Sequence, residues 1–262
     1  MKIGTVESLW RYPVKSMRGE EMEELFAGFA GVYGDRLFAF HSATARPGFP
    51  YLTARDQRQM LRYRPRFRDP AKSVAPPNLA AAESISSGAT PVYADPADLQ
   101  VEVETPFGDA LAIDDPALRT LLCDGMPEAP ELTLLRSDRA LTDCRPLSLI
   151  SLQSVAQLGE ESGAAPDRRR FRANIYLDLT NGEAFGENTF LDHSLRIGSK
   201  VTLAVVQRDS RCMMITLDPE TGEKTPAVLK AVAQNHAGLA GLYAAVLAEG
   251  MIRRGDEVEL LA

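Results

Sequence analysis

Cysteine, histidine and tryptophan are all scarce: the 262-residue chain holds three cysteines (Cys123, Cys144 and Cys212), three histidines and one tryptophan. An odd cysteine count, with no CxxC and no histidines at zinc spacing, argues against a disulfide framework and against structural zinc. His41, His193 and His236 are too scattered to claim a dyad with serine or cysteine. The GxGxxG, GxxxxGK(S/T) and GxSxG patterns are all missing. Dinucleotide, P-loop and α/β-hydrolase readings weaken together. No window approaches the ~18 to 20 apolar residues of a spanning helix, and the N-terminus has no long apolar run, so the expectation is a cytoplasmic protein without a membrane span. Basic charge is in deficit, with 29 Lys and Arg against 36 Asp and Glu and a net charge of −7. A nucleic-acid polymer is therefore a poor general partner.

What is present is an ordinary folded composition, 45% hydrophobic and 25% charged, long enough for one large β-rich unit or two smaller domains. The segment KIGTVESLWRYPVKSM reads as a strand entering a loop at Pro13, and DRLFAF (35–40) and YLTA (51–54) read as short strands. Residues 64–98 are dense in Pro, Ala and Ser and have no sustained period; they are expected to form an inserted surface excursion. LQVEVETPFGDALAI alternates on both sides of a Pro-Phe-Gly-Asp turn, the pattern of a hairpin, and DDPALRTLLC starts as helices do. A boundary is placed between residues 125 and 126. Beyond it, ELTLLRS, FRANIYLDL, KVTLAVVQR and GDEVELL read as strands. LSLISLQSVAQLGEESG reads as a helix closed by Gly163, and TPAVLKAVAQ as a helix capped by Thr225 with Pro226 in its first turn. This order predicts an α+β, β-rich fold with a curled or barrel-like sheet.

Three stretches could carry chemistry. In DSRCMMITLDPETGE, Cys212 follows Arg211 and a hydrophobic strand, with Arg208 nearby. Cations beside a thiol favour the thiolate, the form that binds metal, yet free cysteines are commonly small buried hydrophobes. The residues alone leave both readings open. YPVKSMRGE sets Lys15, Ser16 and Arg18 in a loop after a strand, where they suit an anion or a solvated surface. In RRRFRAN (168–174), Arg172 is the arginine expected to point somewhere specific, entering a strand beside Asn174.

LWRYPVKSMRGE, GDRLFAF, LTAR, FRANIYL and SRCMMITLDPETGE occur in the order and approximate spacing of the MOSC proteins. More narrowly, the chain resembles the subgroup with an N-terminal MOSC β-barrel domain joined to a MOSC domain, to which the mitochondrial amidoxime-reducing component belongs. The resemblance implies an N-terminal barrel domain over 1–125 and a MOSC domain over 126–262. It implies the molybdenum cofactor (molybdopterin), with Cys212 as metal ligand and catalytic residue. Lys15, Ser16, Arg36, Arg172, Asn174, Ser210, Arg211 and Tyr243 would contact the pterin and phosphate. One departure is visible before PLSLIS: where many relatives carry small hydroxyl residues, this chain has Asp143, Cys144 and Arg145. The implied activity is two-electron reduction of a small N-hydroxylated substrate, with the oxygen leaving as water. No Cys₄ cluster motif is present, so electrons would come from a separate donor protein of the ferredoxin, cytochrome b5 or flavin-reductase type. The alternative is a cofactor carrier or a sulfur-handling protein with a persulfide on Cys212.

Overall fold

Apolar residues at Ile3, Val6 and Leu9 put one face of the first strand into a core. Register shifts between Lys2 and Gly4 and between Val6 and Ser8 reset their spacing. The computed structural model describes residues 1–84 and 96–261. In chain order its strands are β1 (Lys2–Arg11), β2 (Glu20–Met22), β3 (Glu24–Gly28), β4 (Gly31–Val32), β5 (Phe38–Ser42), β6 (Arg64–Phe67), β7 (Val101–Glu104) and β8 (Ala110–Ala112). They continue with β9 (Leu132–Arg136), β10 (Leu147–Ser151), β11 (Ile175–Leu179), β12 (Ser194–Ile197), β13 (Val201–Ser210), β14 (Leu239–Ala248), β15 (Gly250–Arg253) and β16 (Glu257–Leu261). The helices among the described residues are α1 (Leu79–Glu83), α2 (Pro116–Cys123), α3 (Leu152–Ser162) and α4 (Pro226–Asn235).

Seven strands close a barrel in the order β11-β10-β14-β13-β12-β16-β1, with β1 pairing back onto β11. Closure removes the free edges a sheet of this size would otherwise expose. The interior is filled by inward-facing residues such as Val6, Leu149, Leu177, Leu203, Val205, Leu242 and Val258. The strand that completes the barrel thus comes from the opposite end of the chain. A second core gathers Phe38, Phe40, Leu52, Met60, Leu99 and Leu118, wrapped by three small sheets, β15-β3-β4, β5-β9 and β6-β7-β8. Two of these sheets join strands from before and after residue 125, and α3 and α4 cover the outside of the barrel over a third cluster. The β-rich α+β architecture expected from the strand order is what the chain adopts.

Several local expectations hold and several do not. The hairpin is β7-β8, and α2 has Asp115 as its cap, the carboxylate accepting from Ala117 N at 2.8 Å. Gly163 closes α3 in the left-handed conformation at φ 64°. LSLIS, expected to open that helix, is instead β10; all five residues are buried, and a run buried on both faces has no period to mark it as a strand. Tyr51 to Ala54 form no strand, and only Tyr51 makes an isolated bridge, to His41. Thr225 sits at the cap position of α4 without a side-chain cap bond. Of the expected insertion, Arg64–Phe67 is a strand paired with β7, and residues 85–95 lie outside the described residues.

Candidate functional site

A cavity of about 310 Å³ is lined by residues from both parts of the chain. Its lining draws Lys15, Ser16, Arg36, Thr53 and Arg55 from the first part of the chain, and Thr142 to Arg145, Ser148, Arg170 to Arg172, Asn174, Gln207, Asp209 to Cys212, Met214, Ile215 and Tyr243 from the second. The nine residues that the family resemblance assigns to the cofactor all line this one space. Seven lysine and arginine side chains line it against two carboxylates, Asp143 and Asp209. In a chain of net charge −7, that local reversal of sign suits an anion.

The backbone around the cavity is held in unusual conformations. Ser16, Arg36 and Arg172 have φ of 65°, 43° and 52°, three of the six non-glycine residues with positive φ among those described. Each such residue costs on the order of 1 kcal/mol or more and persists where its surroundings over-determine it. Here the backbone at and beside these residues is hydrogen-bonded: Arg36 N donates to Tyr12 O at 2.6 Å, Lys15 N to Phe38 O at 2.8 Å and Asn174 N to Ser148 O at 2.9 Å. Register breaks in β13 between Val205 and Gln207, and between Arg208 and Ser210, re-aim the end of that strand. Gln207 and Asp209 line the cavity, and Arg208 does not. Gly241, at φ 78°, leaves room for Arg211: a Cβ there would sit 2.8 Å from Leu149 O and 3.0 Å from Arg211 Nη2.

The cations are fixed individually. Lys15 is buried; its ammonium donates to Leu141 O at 2.7 Å and to the Asp143 carboxylate, which also accepts from Arg55 Nη2 at 2.9 Å. Burial, with Arg36 and Arg172 nearby, pushes the Lys15 ammonium below its ordinary value, against the pull of Asp143. Arg36 pairs with buried Asp35 at 2.6 Å and donates to Arg172 O at 3.0 Å; although burial opposes it, Asp35 raises the Arg36 value overall. The guanidinium groups of Arg36 and Arg172 both lie 4.3 Å from the Tyr12 ring centroid. Arg172 donates to Met17 O at 2.8 Å but has no carboxylate partner, and burial together with Arg36 lowers it to about 10. Arg211 donates to Ala240 O at 2.7 Å and Phe171 O at 2.9 Å and pairs with Asp209 at 2.9 Å. Both Arg172 Nη2 and Arg211 Nη2 are buried without a hydrogen-bond partner. Orphaned guanidinium ends cost free energy unless something accepts from them.

The two carboxyls differ. Asp143 is half-exposed; burial acts against its charge, but Lys15, Arg55 and Arg36 prevail and hold it below the usual carboxylate range. Asp209 is buried, and desolvation pushes it up despite Arg211 and a hydrogen bond with Tyr243. Burial and Asp209 in turn raise the Tyr243 hydroxyl.

Cys212 follows β13, is half-buried and lines the cavity rather than packing into an aliphatic core. Cys144 is exposed in the same lining, its thiol 3.7 Å from Gln207 Oε1. Cys123 lies elsewhere; burial raises its thiol. No cluster of three or more His, Cys, Asp or Glu residues able to hold a metal occurs among the described residues, so a metal here would depend on Cys212 and on ligands the protein does not provide.

Some expectations change. Arg18 turns away and pairs with Glu220 instead of joining Lys15 and Ser16. In the arginine run, Arg168 pairs with Glu7 and Arg169 with Asp167, but Arg170 joins Arg172 in the lining, with Thr216 O accepting at 3.1 Å and Asp218 at 3.3 Å. Asn174 is buried in the lining, yet its amide ties three strands: Oδ1 accepts from Ser148 N at 3.2 Å, and Nδ2 donates to Trp10 O at 3.2 Å. Arg55, Arg170, Asp209 and Tyr12 are parts of the site that sequence reading missed. Each lies within a stretch that the sequence already marks, Tyr12 in YPVKS, Arg55 in LTAR, Arg170 in RRRFRAN and Asp209 in DSRC.

No helix of the described residues is long and apolar enough to cross a membrane. Comparison with family models matches the MOSC N-terminal beta barrel domain over residues 3–96 and the MOSC domain over residues 136–259. Among solved structures, the chain is similar to the YuaD protein from Bacillus subtilis at 12% identity, covering 98% of this chain and 95% of that one with a TM-score of 0.47. It is also similar to YiiM from Geobacillus stearothermophilus at 21% identity, covering 45% of this chain and 55% of that one, TM-score 0.36. For YiiM from Escherichia coli the figures are 17% identity, 45% and 55%, with a TM-score of 0.34. No curated protein matches. Between them the two domain matches span most of the sequence and both sides of the cavity, and the chain belongs to the MOSC proteins, a family associated with the molybdenum cofactor and with sulfur handling.

Proposed function

We propose that this chain holds the molybdenum cofactor in the cationic cavity and reduces small N-hydroxylated compounds, taking electrons from a separate donor protein. The observation that carries the reading is the pairing of an accessible cysteine with buried guanidinium ends that lack acceptors, in one cavity of a MOSC protein. The donor set fits the group: a soft sulfur at Cys212 suits a metal already held by dithiolene sulfur, and Arg172 and Arg211 suit anionic oxygens of the pterin phosphate. Lys15, Ser16, Arg36, Ser210 and Tyr243 complete the expected contacts. When bound, the cofactor supplies the two-electron oxygen-accepting chemistry.

The chain's own residues bind, orient and manage charge. For an amidoxime the balance is one N–O bond broken, two electrons from the donor protein, two protons taken up, and amidine plus water released. Asp143, ionised between Lys15 and Arg55, is a counter-ion rather than an acid. Asp209 is the carboxyl that the cavity keeps closest to its protonated form. The strained, hydrogen-bonded backbone at Ser16, Arg36 and Arg172 pre-positions the cations.

The test is turnover. Protein from a host that makes the cofactor, given benzamidoxime and a chemically reduced viologen, is expected to form benzamidine. Absence of benzamidine at full molybdenum loading rejects the reductase reading. An extra sulfur mass on Cys212 without turnover supports the sulfur-handling alternative, which the presence of Cys144 in the same lining makes worth measuring.

A further inference from the structure

Five of the seven cations lining the cavity have a carboxylate partner. The two that lack one differ in place. Arg172 is inside, with its Nη2 buried and orphaned. Arg145 is exposed and, among the described residues, forms neither an ion pair nor a side-chain hydrogen bond. The carboxylate closest to it in sequence, Asp143, is already shared between Lys15 and Arg55 and does not neutralise it. Its other near neighbours in the lining, Thr142, Cys144 and Ser148, are uncharged. The cavity thus offers two separate uncompensated guanidinium groups, one deep and one in contact with solvent.

We propose that the deep guanidinium serves the cofactor and that Arg145 serves the substrate, selecting N-hydroxylated compounds that carry a carboxylate or phosphate beside the N–O group. This rests on the reductase reading above. A planar guanidinium that is solvated and unpartnered is poised to take a bidentate oxyanion without breaking an existing pair. Its solvent exposure keeps the gain modest and sensitive to salt. Arg145 is a specificity residue in this account and takes no part in bond breaking.

The experiment compares benzamidoxime with 4-carboxybenzamidoxime on loaded wild-type, Arg145→Ala and Arg145→Lys protein, with molybdenum per chain measured for each. In the wild type, kcat/KM for the carboxylated compound is expected to exceed that for benzamidoxime about two- to fivefold at low salt, which is what one solvent-exposed charge pair supplies. In Arg145→Ala the ratio should fall close to one through KM, with Arg145→Lys between them and molybdenum content alike in all three. A ratio that survives in Arg145→Ala overturns the proposal. So does a loss of molybdenum in that variant, which would assign Arg145 to the cofactor, or an equal loss of rate on both compounds. If the wild type turns over neither compound, the reductase reading fails by itself. Calorimetric binding of the two compounds to loaded protein then decides the Arg145 claim: equal affinities in the wild type reject it, and a carboxylate preference lost in Arg145→Ala upholds it.

Discussion

Arg172→Met should stabilise the cofactor-free protein while abolishing its ability to retain cofactor. A guanidinium pushed down to about 10, well below its ordinary value, pays on the order of 3 kcal/mol to stay charged. Methionine fills similar space without that charge. It forfeits the bond to Met17 O and the contact with the Tyr12 ring, together about 2 kcal/mol. The remainder, roughly 1 kcal/mol, corresponds to a rise of about 2–4 °C in Tm for a protein of this size. Thermal melts of protein from a host unable to make the cofactor measure that rise, and metal analysis of protein from a competent host measures the loss of loading. The sign with pH is also fixed. Above about 10 and below the ordinary arginine value the unfolded chain binds more protons at this site than the folded one, so wild-type stability gains with rising pH there and the advantage of the variant shrinks. A cofactor-free variant that melts below wild type refutes the idea that Arg172 is an uncompensated charge waiting for an anion.

Two further outcomes follow from the same geometry. Asp143→Asn should lose about 1 kcal/mol at pH 7, because a folded-state carboxyl held below its unfolded value stabilises above the ordinary range near ~4 and loses that contribution as pH falls through the folded value; melts of the two proteins in a series of buffers from pH 7 downward should show a gap that is constant above the ordinary carboxylate range and narrows below it. Gly241→Ala should cost about 1–3 kcal/mol, since the new methyl meets Leu149 O and displaces Arg211 in a left-handed backbone; urea midpoints measure this, and a change below about 0.5 kcal/mol would remove Gly241 from the support of Arg211.

The parts of the fold that were legible in the sequence are those whose signal is local. The β-branched and aromatic content of β1, the turn of the β7-β8 hairpin, Asp115 before α2 and Gly163 after α3 each follow from residues within a few positions. What the sequence hides is non-local. Nothing near Lys2–Arg11 states that this strand pairs with β11 and β16 to close a barrel. The GLYAAV stretch of β14 and the LSLIS run of β10 are buried barrel strands with too few polar residues to show a period. The site divides in the same way. The residues that the resemblance assigns to the cofactor come from distant segments and reach the cavity, but the sequence could not say that Arg170 turns inward and Arg18 outward, because that choice depends on Thr216, Asp218 and Glu220 brought from elsewhere. Bulges in β13 likewise separate Arg208 from Arg211, which sequence proximity to Cys212 had grouped together.

Molybdenum per chain, measured by mass spectrometry on wild-type and Cys212→Ala protein purified from a cofactor-producing host, tests the central claim most directly. The account predicts stoichiometric metal in the wild type and almost none in the variant, with the two cofactor-free proteins melting alike. Equal metal in both, or none in either, contradicts it.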